Sequence, residues 1–157
     1  MRRIWSAAFA LLLAGCGVQP SEVTDGGTAP TGVAPGVTLY FVDEQGALVP
    51  SERDTGRLGT IADALALLLT GPGDSDLRTE IPSGDVTRVT VTVGEDVVEL
   101  RVPLAADEVT PLGTDQIVCT ALAAHVQAGG SAEVKARVHF TLPEPDSDAL
   151  RTCPLTE

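Results

Sequence analysis

The sequence predicts an α+β domain, an antiparallel-rich sheet of four to five strands with two helices packed on one face, in the order β(β)-α-β-β-α-β. Three observations carry that prediction. Several short runs alternate apolar and polar residues with the period of two that a half-buried strand requires. Two longer segments repeat their apolar residues at helical spacing and open on capping residues. Glycine and proline clusters separate the runs, as turns demand.

Order begins at Val37. Val37, Leu39 and Phe41 alternate with Thr38, Tyr40 and Val42, and the run stops at Asp43-Glu44-Gln45-Gly46. Leu48-Val49-Pro50 continues as a second short strand of a hairpin. Pro50 has no N–H to give a ladder and keeps that strand at an edge. Thr60, with Asp63 at the third helical position, has the spacing of a capping box. Ile61, Leu65, Leu68 and Leu69 then form one apolar stripe, and Gly71-Pro72-Gly73 stops the helix.

Downstream, "VTRVTVTV" sets Val89, Val91 and Val93 against Arg88, Thr90 and Thr92. Gly94-Glu95-Asp96 turns the chain, and Val98, Leu100 and Val102 return opposite Glu99 and Arg101, which predicts a hairpin. The second helix runs through "TDQIVCTALAAHVQAGG", with Thr114 as its cap and Asp115 at its positive end. Its apolar arc holds Ile117, Val118, Ala121, Leu122 and Val126, and Gly129-Gly130 ends it. A last strand sets Val134, Ala136, Val138 and Phe140 against Lys135, Arg137, His139 and Thr141. Half-buried alternating strands with amphipathic helices are the pattern of a two-layer α+β fold. Residues 143–157 read as an acidic C-terminal tail.

Ahead of the domain, Arg2 and Arg3 precede an apolar run from Ile4 to Ala14 in which only Ser6 is polar. That run is about half the ~20 residues needed to cross a bilayer. Residues 1–15 therefore read as a secretory signal peptide. Leu13-Ala14-Gly15-Cys16 resembles the bacterial lipobox, which implies cleavage between Gly15 and Cys16 and a diacylglyceryl thioether on Cys16. An ordinary signal peptide with an incidental cysteine is the competing reading, and the residues directly before Cys16 weigh against it. Two acyl chains on one residue meet the two-signal condition for stable anchoring. The expected location is the extracytoplasmic face of the cell membrane, with the lipid on Cys16 as the membrane contact. Residues 16–36 are the lipidated N-terminus and a tether rich in Pro, Gly, Thr and Ala, without apolar periodicity. As a flexible coil it would hold the domain roughly 25 Å from the membrane.

The net charge is −12, and loss of Arg2 and Arg3 makes it more negative still. A chain this acidic, with no basic cluster, is not built to bind nucleic acid. Anionic headgroups would repel it, so the lipid alone should make the membrane contact. Lysine occurs once, at Lys135, and arginine supplies the other basic residues. With abundant Ala, Gly and Val this points to a high-GC genome such as an actinobacterium's. Lipidation of Cys16 leaves Cys119 and Cys153. An oxidising exterior favours a bridge between them, worth roughly 3–4 kcal/mol on the chain-entropy model. Two buried free thiols are the alternative, and sequence does not choose between the two.

No catalytic constellation is legible. His125 falls on the apolar arc of its helix, where a core-edge histidine with one hydrogen bond is the simplest reading. His139 lies on the polar face of its strand and reads as solvated. Asp74-Ser75-Asp76 and Asp146-Ser147-Asp148 do not continue as calcium loops. The Gly-x-Ser-x-Gly, Walker, His-Glu-x-x-His and Cys-x-x-Cys patterns are all missing. No catalytic residue, metal site or cofactor is expected.

Five blocks in order resemble the GerMN (sporulation/germination) domain: "VTLYFVDEQGALVP", "ADALALLLTGPGDSDLRTEIPSG", "VTVGEDVVELRVP", "TDQIVCTALAAHVQ" and "VKARVHF". The Leu65–Leu69 helix running into Gly71-Pro72, then the Thr79-Glu80-Ile81-Pro82 turn, carries most of the likeness. Gln116-Ile117-Val118 with Thr120 carries much of the rest. The domain so identified is 37–142. The resemblance implies a module akin to the ring-building domains of secretion systems, used for protein contacts in the cell envelope. It includes sporulation lipoproteins that support a channel complex, and actinobacterial lipoproteins that work beside a sensor kinase. This chain carries one copy and no partner domain, so neither role is carried over directly.

The functional expectation is a non-catalytic lipoprotein whose domain binds an unidentified envelope protein through a sheet edge or an exposed sheet face. A binding module for a cell-wall glycan or small ligand is the alternative, although scarce aromatic residues (three Phe, one Tyr, one Trp) offer few platforms for sugar stacking. A pocket with convergent polar groups would favour the ligand; an open edge would favour the protein.

Overall fold

A computed structural model describes residues 36–57, 59–85 and 87–156. Strand β1 (Gly36–Val42) pairs antiparallel with β2 (Leu48–Asp54), Val42 opposite Leu48 and Gly36 opposite Asp54. Asp43 shapes the turn between them: its Oδ1 accepts the N–H of Gln45 at 3.0 Å and of Ala47 at 2.8 Å. A short carboxylate that bonds the backbone just ahead of it favours a turn over continued strand.

Helix α1 (Ile61–Leu69) starts on the predicted capping box. The Asp63 N–H donates to Thr60 Oγ1 at 3.1 Å, and the Thr60 N–H donates to Asp63 Oδ2 at 2.9 Å. The Thr60 N–H and hydroxyl, both donating to Asp63 Oδ2, hold that carboxyl below the usual carboxylate range, the backbone bond contributing most. Gly71, at φ +88°, follows the C-cap in the left-handed region that the helix exit needs.

A four-stranded sheet follows, in the order β3-β4-β5-β6. Strands β3 (Thr90–Val93) and β4 (Val97–Arg101) form the predicted antiparallel hairpin. Helix α2 (Pro111–Gln127) then crosses over, and β5 (Lys135–His139) lies parallel to β4. A parallel neighbour requires such a crossover, because a tight turn can only reverse the chain. Strand β6 (Leu150–Arg151) returns antiparallel on β5.

The fold is α+β, with most strand pairs antiparallel. The strands divide, however, into a two-stranded and a four-stranded sheet, because α2 rather than another strand occupies the second edge of β1. Helix α2 also starts earlier than its sequence suggests. Thr110 is the cap, accepting the Gly113 N–H at 3.0 Å. Pro111 fits the first helical position, where no N–H is needed. Thr114, expected as the cap, lies inside the helix and donates its hydroxyl to the Thr110 carbonyl at 3.2 Å.

One core cluster joins the layers. Leu39 and Phe41 of β1, Leu65 and Leu68 of α1, Leu100 of β4, Ile117 and Val118 of α2 and Val138 of β5 are fully enclosed. Burying each side chain of this size contributes about 1.5–3 kcal/mol. Two residues expected inside are not: Val93, at the turn end of an edge strand, is 54% exposed, and Val126, in the last turn of α2, is 44% exposed. The acidic C-terminal segment carries β6 and Cys153, and Cys153 is buried with Cys119 and Leu48 in a second small cluster.

Candidate functional site

The clearest polar construction lies where α2 meets β1. Gln116, Thr120 and Gln127 share one stripe of α2, being four and seven residues apart, and face the edge of β1 that β2 does not use. The Tyr40 N–H donates to Thr120 Oγ1 at 3.0 Å, and Gln116 Nε2 donates to the Tyr40 carbonyl at 2.9 Å. The Thr38 N–H donates to Gln127 Oε1 at 3.3 Å, and Gln127 Nε2 returns to Thr38 Oγ1 at 3.0 Å. Val42 completes the edge by exchanging backbone bonds with Arg78 at 2.9 and 2.8 Å. Side chains thus take the place of a neighbouring strand.

Gln116 does more than close that edge. Its Oε1 accepts the Glu80 N–H at 2.8 Å and the Thr79 hydroxyl at 3.4 Å, while Thr79 Oγ1 accepts the Ile81 N–H at 3.1 Å. The Thr79–Ile81 turn is therefore pinned to the start of α2. Gly113 permits the contact: a Cβ there would lie 2.5 Å from the Glu80 carbonyl oxygen. Gln116 and Thr120 have no measurable exposure, so these groups hold the fold and cannot meet a ligand. Sequence reading prized this stretch for its family likeness and missed its structural role. The available signal was a row of amide and hydroxyl residues on an otherwise apolar helix face.

Gly15 and Cys16 lie outside the described residues. Cys119, in the middle of α2, is joined to Cys153 as a disulfide, with Cα atoms 4.7 Å apart. Two residues before Cys153, Arg151 lies near Asp115 of α2. Burial pushes the Asp115 carboxyl above its ordinary range, and the Arg151 charge pulls it partly back. Tail and helix are thus joined by a covalent bond, with the Arg151 charge acting on Asp115 at longer range.

His125 is half-buried, its ring packed against Gly130 so closely that a Cβ there would lie 2.1 Å from Nε2. His139 is not simply solvated. Its Nε2 lies 2.5 Å from Glu99 Oε2, and Arg137 Nη1 donates to Glu99 Oε1 at 3.1 Å. The parallel register explains the triad, because β4 and β5 set Glu99 opposite Arg137 and Arg101 opposite His139 on one face. Sequence spacing within each strand cannot reveal that neighbour. Asp74, Asp76, Asp146 and Asp148 are exposed or half-exposed on loops. Among the described residues, no group of three or more His, Cys, Asp or Glu is placed to hold a metal ion, and no helix is long and apolar enough to cross a membrane.

Surface concavities are shallow. A groove of about 350 Å³ runs along α1, lined by Ala64, Ala66, Leu67, Thr55 and Arg57 among others, and its carboxylate, Asp63, is engaged in capping. A second groove of about 520 Å³ adjoins it, between Ala62 and Ala66 of α1 and Thr87–Thr90.

Strand edges are the more distinctive feature. The outer edge of β2 and the outer edge of β3 carry no neighbouring strand among the described residues. Because Thr38, Tyr40 and Val42 turn their backbone groups to α2 and Arg78, the register directs those of Pro50 and Glu52 on β2 outward. On the far side of the larger sheet, β6 covers part of β5.

The family model described as Germane, sporulation and spore germination, matches residues 38–142. Among solved structures, the chain is similar to the tandem GerMN domains of the sporulation protein GerM from Bacillus subtilis. That likeness has a TM-score of 0.51 and 17% identity, covers 76% of this chain, and supports the fold alone. The chain spans 44% of that structure's length. No curated protein matches it.

Proposed function

Because the chain belongs to the Germane family of sporulation and spore germination, we propose that it is a non-catalytic lipoprotein. Cys16 anchors it at the extracytoplasmic face of the cell membrane, and its folded domain makes protein contacts in the cell envelope. The sporulation or germination setting comes with the family; the anchor comes from the residues around Cys16.

One observation carries the contact reading: the polar side chains are committed to the fold while strand edges stay open. Gln116, Thr120 and Gln127 close β1, and Glu99 bonds both His139 and Arg137 across β4 and β5. An unpaired strand offers backbone donors and acceptors to another chain, which is the basis of strand addition. The groove along α1 offers Arg57 as its cation and a carboxylate already used by Thr60, so it supports a glycan or small ligand less well.

Photocrosslinking groups placed on β2 and β3 of the anchored protein, followed by mass spectrometry, test this. One envelope protein captured at a strand edge supports the contact reading. Capture of random neighbours alone from both edges would overturn it and return attention to the groove.

A further inference from the structure

We propose that β3 is a homodimer edge: two copies of the chain add their β3 strands antiparallel about a two-fold axis, making one sheet continuous across both. The inference rests on the protein-contact reading and deepens it by naming the edge and its occupant.

The other edges are closed or blunted. Side chains of α2 fill the second edge of β1. The outer edge of β2 carries Pro50, which has no N–H, and the acids Glu52 and Asp54. Strand β6 covers β5, is tied to α2 through Cys153, and is itself two residues long. Proline, charge, shortness and cover are the devices by which natural sheets prevent edge pairing. Strand β3 uses none of them except modest length. It reads Thr90-Val91-Thr92-Val93, all β-branched and uncharged, with Val93 54% exposed.

Register fixes what the edge presents. The Gly94 N–H donates to the Val97 carbonyl at 2.9 Å. By alternation, Thr90 and Thr92 turn their backbone groups toward β4, and Val91 and Val93 turn theirs outward. An antiparallel pair then sets Val91 opposite Val93 of the second copy, with Thr92 opposite its own counterpart on the axis.

Charge selects a second copy as the occupant. Arg88 lies before the neutral strand and Glu95 and Asp96 lie after it, all exposed. None of the three makes an ion pair among the described residues. Antiparallel pairing of the two β3 strands brings the Arg88 end of each copy beside the acidic turn tip at Glu95 of the other, and the two-fold axis repeats the approach. On a chain with net charge −12, most other copy-to-copy contacts set acid against acid. Beneath the edge, the groove beside Ala62 and Ala66 presents small side chains to the incoming copy.

The test uses the full-length chain in detergent, with mass measured by light scattering across protein concentration. A monomer–dimer equilibrium is expected. Arg88→Glu and Glu95→Arg should each weaken it about tenfold, since like charges then meet twice. The double variant R88E/E95R should restore it, an outcome that simple damage to folding would not give. Thr92→Cys should yield an oxidised dimer on a non-reducing gel beyond any that the wild type gives. A monomer at every concentration would overturn the proposal, as would a dimer indifferent to all three charge variants. If the chain stays monomeric yet captures an envelope protein, the homodimer fails and the contact reading stands.

Discussion

Gln116 illustrates how far a single side chain can reach. It accepts the Glu80 N–H, donates to the Tyr40 carbonyl, and has no access to water. An apolar replacement would strand one buried donor and one buried acceptor, each costing about 1–3 kcal/mol. Gln116→Leu should therefore lower the unfolding free energy by about 2–4 kcal/mol, read from the shift of a urea midpoint. A loss below about 1 kcal/mol would mean that water or a shifted turn replaces the amide. At this scale the sequence was legible where partners are local. The Thr60–Asp63 box was found because both halves sit three residues apart. Gln116 and Tyr40, 76 positions apart, and Glu99 and His139, 40 apart, were not paired in advance, because strand periodicity tells which face a residue takes and not who lies beside it.

Elements show the same divide between local and distant information. Helix α1, the β3–β4 hairpin and the alternation of β1 and β5 follow from spacing, caps and turn residues. The separation of the strands into two sheets does not, because it depends on α2 standing in for a strand. Nor does β6, whose two residues hold no periodicity at all. Its place is maintained from outside: Cys153 ties the tail to Cys119 across 34 residues, and the Arg151 charge acts on Asp115 nearby. Reduction should cost roughly 3–4 kcal/mol of stability on the chain-entropy model. It should also speed exchange of the amides that pair β5 with β6 more than those that pair β4 with β5, since β6 has few other tethers. Hydrogen exchange with and without a reductant measures both. Equal protection of β6 in the two states would mean that pairing and packing hold the tail without the bridge.

On the scale of the whole molecule, the family match spans residues 38–142 and the fold continues beyond it through β6 and Cys153. They cover one end of the larger sheet and leave the β3 end free, which gives the domain a direction. In the proposed anchored state, Cys16 would set where that direction points. If Cys16 carries the proposed lipid, the anchor would confine copies to a plane. Confinement raises the effective concentration of copies and favours even a weak edge contact. Cys16→Ser should thus do two things. It should move the protein out of the membrane fraction, because a chain with net charge −12 has no second attraction to anionic lipid. It should also lower the yield of Thr92→Cys crosslinks in cells at equal expression, without changing the mass equilibrium of purified protein at matched concentration. Fractionation that still finds the variant in membranes would remove the lipid anchor. Crosslinking that survives complete release would mean that β3 binds strongly enough to need no membrane.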